Sequence, residues 1–326
     1  MSLATIELAG VAKRFGAQVA VQGIDLSLQE GGCVGLVGHN GAGKSTLIKL
    51  MLGLLRPSAG TVRVLGEDPT GGASVRARRE IGYLPDNVAF HPSMTGAETI
   101  GFYARLKREA PARGRALLQQ VGLDEAARRR VGTYSKGMRQ RLGFAQALLG
   151  HPRALLLDEP TTGLDPEFRL RFFGILADMR RAGTSVLLSS HALAELEGAV
   201  DRIVVIDHGR KLADGDIATL RAEAGLVPRL RASLANGQLP GWQQVAPGVF
   251  ETSCPEPDIL AFLKALPDKA GSVEILRPAL DEVYAAILQG PQQNRGLGPS
   301  CAARFRVTAP AGPGESPGLR CRELHL

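Results

Sequence analysis

Gly38-His39-Asn40-Gly41-Ala42-Gly43-Lys44-Ser45-Thr46 fits the spacing G-x-x-x-x-G-K-[ST]. Glycines let backbone N–H groups turn inward around phosphate oxygens, and a following helix N-terminus adds partial positive charge. In such a loop Lys44 reaches the β- and γ-phosphates, and the Ser45 hydroxyl holds Mg²⁺. The flanks suit it: residues 33–37 read as a buried strand and residues 47–55 as an apolar helix. By itself the loop implies binding of a nucleoside triphosphate and nothing more. A second cluster supplies a reaction. Asp158-Glu159 ends the apolar run 154–157. Beside a phosphate loop, Asp158 belongs to the Mg²⁺ shell, and Glu159 accepts a proton from the attacking water or polarises it. His191 stands at the C-terminal end of another buried strand, read at 185–190, and reads as a donor to the γ-phosphate.

These residues need strands whose ends lie side by side. Residues 6–8, 11–16, 19–28, 61–65 and 81–87 read as further strands, the last running into a loop at Pro85. Residues 97–131 read as helical, within a helical subdomain at about 90–150 inserted into the sheet domain. Ser135 is an N-cap for a helix running to Leu149, before Gly150. Asp165-Pro166 supplies an N-cap and an N1 proline for the next helix, with Gly183 just past its end. Strands alternating with helices imply an α/β fold with a mainly parallel sheet, whose ligands lie outside the carboxyl ends of the strands. Lys44, Asp158, Glu159 and His191 all fall at such ends. Residues 203–206 and 211–213 form a hairpin that closes a domain spanning 1–215. Short strands at 229–234, 249–252 and 273–276, with helices at 258–266 and 279–288, make a small α+β appendix over 216–290. Residues 291–326, rich in Pro, Gly and Arg, read as a disordered tail.

The bulk composition narrows the function classes. The chain has 326 residues, 44% of them hydrophobic, enough for a proper core. A formal charge of +7 is too low for a dedicated nucleic-acid binder, and no nucleic acid is expected as a partner. Cys33, Cys254, Cys301 and Cys321 are scattered without a C-x-x-C pair. Cys301, Cys321 and His325 are too widely spaced for a soft-metal site. No signal peptide opens the chain and no apolar run approaches a membrane span, so it reads as reduced and cytosolic.

The motifs come in a familiar order: the phosphate loop, Tyr134-Ser135-Lys136-Gly137-Met138, Leu155–Glu159 before Pro160, Gly163-Leu164-Asp165, and His191. From about residue 4 to 220 the chain resembles the ATP-binding subunits of ABC transporters. The resemblance implies a P-loop ABC ATPase domain in which antiparallel strands accompany the parallel sheet, and two copies closing head-to-tail around two ATP molecules. Ser135 and Gly137 of one copy would then bind the γ-phosphate held by Lys44 of the other. The residues support this independently. The helix starting at Ser135 is a second anion-binding terminus, which a triphosphate already cradled by the first would not need. The resemblance also matches Phe15 to the aromatic that stacks on adenine, and Asp165 to the loop coupling the two sites. It further implies an integral membrane permease, contacted by the helical subdomain and residues 85–91.

Two departures stand out. The usual Leu-Ser-Gly-Gly-Gln signature is Tyr134–Met138 here, with Ser and the second Gly retained. Asp86 stands where the family usually has Gln; a carboxylate there can touch Mg²⁺ or water but cannot donate a hydrogen bond. The lysine-bearing signature and acidic Asp86 resemble ATPases serving export-type permeases, multidrug exporters among them. Residues 82–87, 134–143 and 220–226 resemble more narrowly the ATPase subunits of transporters that mature nitrous oxide reductase. That implies copper-site assembly, a periplasmic accessory protein, and a place on the cytoplasmic face of a bacterial inner membrane, with copper not needing to bind this chain. Two other readings compete. A soluble ABC ATPase acting on nucleic acid or ribosomes would usually carry two cassettes or a long coiled coil, and neither is here. A generic kinase or GTPase leaves Ser135–Met138 and His191 without a role.

Overall fold

A computed structural model describes residues 4–71, 74–234, 237–267 and 270–289. The tail read at 291–326, with Cys301, Cys321 and His325, lies outside the described residues. Three strands build the centre: β3 (Cys33–Val37), β6 (Ala154–Leu157) and β7 (Ser185–Ser190), buried at every position. They form a six-stranded sheet with β5 (Ile81–Leu84), β8 (Arg202–Asp207) and β9 (Arg210–Gly215), in the order β5-β6-β7-β3-β8-β9. All neighbours are parallel except β8–β9, which form the expected hairpin. Continuous apolar strands belong in such a sheet because helices or a second sheet cover both faces.

Strand alternation divides the apolar residues between two cores. Val34, Leu36, Ala154, Leu156 and Leu187 face Leu47, Ile48, Leu50 and Met51 of α1 (Lys44–Met51). The same core contains the inner face of an antiparallel sheet, β1 (Ala4–Phe15), β2 (Gln18–Gln29) and β4 (Ala59–Val64), in the order β2-β1-β4. Cys33, Val37, Leu155, Leu157, Val186 and Leu188 face the other way, toward α5 (Lys136–Ala147) and α6 (Pro166–Arg181). Burial there pushes the Cys33 thiol up to about 12, so it behaves as a small hydrophobe.

Phe144 of α5 and Phe172 of α6 meet in this core with ring centroids 4.6 Å apart. Because Phe172 is fully buried, Phe172→Ala leaves a cavity the packed helices cannot close. The expected loss in a urea or guanidinium melt is about 3–5 kcal/mol. A loss below about 1 kcal/mol would show that the site collapses freely.

The helical reading of 97–131 is longer than the helices observed. A capping box between Thr95 and Glu98 starts α3 (Gly96–Leu106). Arg108 adopts φ +61°, and Pro111, lacking an N–H, begins a separate helix, α4 (Pro111–Gln120). Beyond α4, residues 121–130 are turns rather than helix, running past Gly122 at φ +67°. Two short helices, α2 (Ser74–Arg79) and α7 (Ile217–Glu223), are additional to the expected elements.

After α7, a second antiparallel sheet forms from β10 (Arg229–Ser233), β11 (Gln243–Ala246), β12 (Val249–Ser253) and β13 (Val273–Leu276), ordered β11-β12-β10-β13. Ala232, Leu234, Leu239 and Phe250 make its own small core. The helix α8 (Ile259–Lys264) belongs to this region. By contrast, Leu220 of α7 and Ala224 at its C-cap, with Leu280 and Val283 of α9 (Leu280–Gln289), are buried in the larger core of the six-stranded sheet.

Candidate functional site

The carboxyl edge of the central sheet delivers the reactive groups. The chain leaves β3 through Gly38, whose N–H donates to Ser190 O at 3.3 Å. A Cβ on Gly38 would stand 2.4 Å from Ile206 O and 2.9 Å from Ala42 Cβ, so the loop passes here only without a side chain. Gly43 adopts φ +111°, and its Cβ would meet Ala20 O at 2.7 Å. These tight passages wrap the loop around a cavity of about 600 Å³. Phe15, His39, Asn40, Gly41, Gly43, Lys44, Ser45, Thr46, Asp86 and Glu159 line it. Ala42 is buried behind the loop, where its methyl packs into the apolar core against α1. Phe15 is 46% exposed, with the Lys13 ammonium 5.0 Å from its ring centroid.

Lys44 is nearly buried, and its ammonium donates to Gly38 O at 2.5 Å and His39 O at 3.3 Å. It also lies 3.1 Å from Glu159 Oε1. That contact is an ion pair by distance but is not aligned as a hydrogen bond, and Glu159 Oε1 is buried with no hydrogen-bond partner. Glu159 Oε2 accepts from His191 Nδ1 at 2.8 Å. A carboxylate only accepts, so Nδ1 carries the proton. The Glu159 backbone is held at φ +48°, a left-handed conformation that costs a β-carbon residue about 1–2 kcal/mol. Its N–H donates to Ser189 Oγ at 2.9 Å, and Ser189 Oγ donates to Asp158 Oδ1 at 2.7 Å. One hydroxyl thus fixes both members of the acidic pair. Tyr83 stands nearby, its phenol pushed up to about 12 by burial and by the charges of Asp158 and Asp86.

The structure therefore brings Phe15, the phosphate loop, Asp86, Asp158, Glu159 and His191 into one neighbourhood. Ser135, Gly137 and Asp165 do not line the cavity. Ser135 is exposed and caps α5, accepting from Met138 N at 3.1 Å. A Cβ on Gly137 would stand 2.8 Å from Gly163 O, so the start of α5 packs directly on the loop leading to Asp165. Asp165 caps α6 by accepting from Phe168 N at 2.8 Å, and it pairs with Arg141. The Phe168 amide, followed by Arg141, holds its carboxyl below the ordinary range. The sequence does not single out Ser189, because it is one of three serines in the strand 185–190 and nothing local marks which of them meets the acidic pair.

The comparison with known proteins follows this geometry. Residues 21–162 match the ABC transporter family. The daunorubicin/doxorubicin resistance ATP-binding protein DrrA of Streptomyces peucetius is 35% identical over 311 residues, covering 89% of this chain and 94% of that protein. This chain belongs to the ATP-binding subunits of ABC transporters. The Nod factor export ATP-binding protein I of Rhizobium sp. (strain N33) is 40% identical over 223 residues, covering 66% of this chain and 72% of that protein. Among solved structures, an ATP-binding subunit of an ABC transporter aligns with a TM-score of 0.64 at 29% identity, covering 68% of this chain and 94% of that one. A dimeric ATP-binding cassette bound to ADP and Pi shares the fold, with a TM-score of 0.61 at 24% identity over 65% of this chain and 98% of that one. As an ABC ATPase, the subunit binds ATP and couples its hydrolysis to transport. No helix among the described residues is long and apolar enough to cross a membrane.

Proposed function

We propose that two copies of this chain close head-to-tail on two ATP molecules and thereby drive a separate export-type membrane permease. The observation that carries this reading is the division of the phosphate-binding groups. Lys44 and Glu159 line one cavity, with His191 bonded to Glu159, whereas the Ser135 cap of α5 lies outside it, available to a second copy. In this scheme the γ-phosphate takes the Lys44 ammonium away from Glu159 Oε1. Glu159, released on that side and still held by His191, accepts the proton of the attacking water. For His191 to donate to the γ-phosphate as well, both ring nitrogens must carry protons.

Ser135 and Gly137 of the second copy close over the γ-phosphate, Phe15 stacks on adenine, and Asp165 couples the two sites. Ser45, Asp158 and Asp86 suit Mg²⁺, being oxygen donors at or beside the cavity; the ion would supply charge neutralisation at the phosphates. The 1–215 ATPase domain, with its helical subdomain at 90–150, carries this machinery; the unit at 216–290 is an appendix whose α7 and α9 brace it.

A finer reading is that the permease serves nitrous oxide reductase maturation and copper-site assembly, together with a periplasmic accessory protein, from the cytoplasmic face of a bacterial inner membrane. The resemblance at residues 82–87, 134–143 and 220–226 favours it. The curated relatives favour export more broadly, including drug resistance. Affinity purification from detergent-solubilised native membranes tests the general proposal: a multi-spanning membrane protein is expected, and ribosomes or nucleic acid in its place would overturn it. Deleting the gene tests the finer one: nitrous oxide reductase should accumulate without its copper centre, and a normally loaded enzyme would refute it.

A further inference from the structure

Between β8 and β9 the chain turns through Asp207-His208-Gly209-Arg210. His208 and Gly209 have φ of +45° and +76°, the pattern of a two-residue type I′ turn. The turn docks on the phosphate loop, since Gly209 N donates to Ala42 O at 2.9 Å. That docking brings together His39, Asp207 and His208, whose ligand-type atoms all lie within 4.8 Å of one another. His39 Nε2 is 2.7 Å from Asp207 Oδ1, and His208 Nε2 is 3.9 Å from the same oxygen.

The hydrogen bonding of His39 makes this more than proximity. Its Nδ1 is 2.7 Å from Asn40 O, and a carbonyl oxygen can only accept, so Nδ1 bears the proton. In a neutral ring, Nε2 then directs a lone pair at a carboxylate oxygen that also has only lone pairs to offer. Two acceptors this close repel unless a cation joins them, a ring proton at 2.7 Å or a metal ion once the two atoms part to its ligand spacing. An imidazole that gives its other N–H to a backbone carbonyl is how proteins orient a metal-binding histidine. A third donor is within reach: His208 is 82% exposed at its side chain and free to change rotamer. Tetrahedral zinc needs about 3.4 Å between its ligand atoms, a spacing these three reach with small movements. On the protein side of the cluster, the Tyr284 hydroxyl of α9 is buried without a hydrogen-bond partner, close to Asp207 and the His39 amide.

We propose that His39, Asp207 and His208 form a binding site for a divalent first-row transition ion, tying the phosphate loop to the β8–β9 turn at the rim of the nucleotide cavity. Two imidazoles with one carboxylate select zinc, copper or nickel over Mg²⁺ and Ca²⁺, so the site is chemically separate from the Mg²⁺ that accompanies ATP. His39 and His208 both line the nucleotide cavity, so ion and nucleotide act on the same loop, and each changes the other's affinity by the same factor.

The test uses the full-length, nucleotide-free protein titrated with Zn²⁺ against a chromophoric chelator, and with Co²⁺ read by visible absorption. Wild type should bind an ion that His208→Ala and Asp207→Asn each bind at least about tenfold more weakly. The Co²⁺ bands lost in the variants should be ligand-field bands of a nitrogen- and oxygen-ligated ion. Equal binding by wild type and His208→Ala would overturn the proposal, and would leave His39 as an imidazolium paired with Asp207. A thiolate charge-transfer band unchanged in the variants would also overturn it, by placing the ion on cysteines.

Discussion

Glu159→Gln should lower ATP turnover by about 10²–10⁴-fold, the usual contribution of a positioned general base, while ATP-driven dimerisation persists. The two parts of this expectation have separate origins. Glutamine keeps the shape of the side chain, so Glu159's backbone bond to Ser189 and the packing of the strand end are undisturbed. Its carbonyl can still accept from His191 Nδ1, which turns its NH₂ toward the place where Glu159 Oε1 faces Lys44. In the nucleotide-free protein that is two donors facing each other; with ATP present, phosphate oxygens lie between them and relieve the conflict. The substitution therefore removes the proton acceptor without weakening the nucleotide-bound state. Phosphate release under single-turnover conditions and light scattering with ATP measure the two arms. Turnover within a few-fold of wild type would remove Glu159 from the base role, and loss of the ATP-driven dimer would show that Glu159 acts in binding.

Much of this arrangement was legible in the sequence, for identifiable reasons. The runs 33–37 and 154–157 are apolar at nearly every position, 185–190 centres on Val186-Leu187-Leu188, and the three stop at a glycine loop, a carboxylate pair and a histidine. A strand buried on both faces leaves such a record, and its bounds follow from where the apolar residues end. The helix after Asp165-Pro166 was equally readable, because N-cap, N1 proline and terminal glycine are local signals. Residues 97–131 were not, since amphipathic spacing shows which face is buried but not where the chain breaks. The left-handed turn at Arg108 carries no glycine to announce it. The bracing role of α7 and α9 was also hidden, because α9 packs on residues 193–196 and on β9, far back along the chain.

At the site, the convergence of groups at the carboxyl ends of the strands follows from parallel topology alone. What no spacing reveals is how those groups satisfy one another without a ligand. Lys44 rests against Glu159, Ser189 bridges Asp158 to the Glu159 amide, and His39 faces Asp207 across the hairpin turn. Each pair joins segments brought together only by the folded sheet. Buried charges must find partners, and the Lys44 ammonium, paired with Glu159, is the one a bound triphosphate would draw away.

That exchange leads to the second large expectation. Lys44→Ala and Ser135→Arg should each abolish ATP-driven dimerisation and turnover, yet an equimolar mixture of the two should recover both. In a symmetric dimer of Lys44→Ala, both sites lack the ammonium; in one of Ser135→Arg, both lack the capped helix start and carry a bulky cation there. A mixed dimer concentrates the damage. One site joins the altered loop to the altered helix, and the other joins an intact Lys44 to an intact Ser135. Because neither variant dimerises with itself, the ATP-driven dimers in the mixture are mixed ones, each with one complete site of two, so recovered turnover should approach about half of wild type. The Ser135 change costs about 1 kcal/mol of helix capping, small beside the stability of a core that includes Phe144 and Phe172. Circular dichroism on each variant checks that both remain folded. If a single complete site does not turn over, light scattering of the mixture with ATP still reports the dimer it holds together. Should the mixture recover neither turnover nor dimer, the α5 terminus would not serve a neighbouring copy, and the division of the site between two chains would fall.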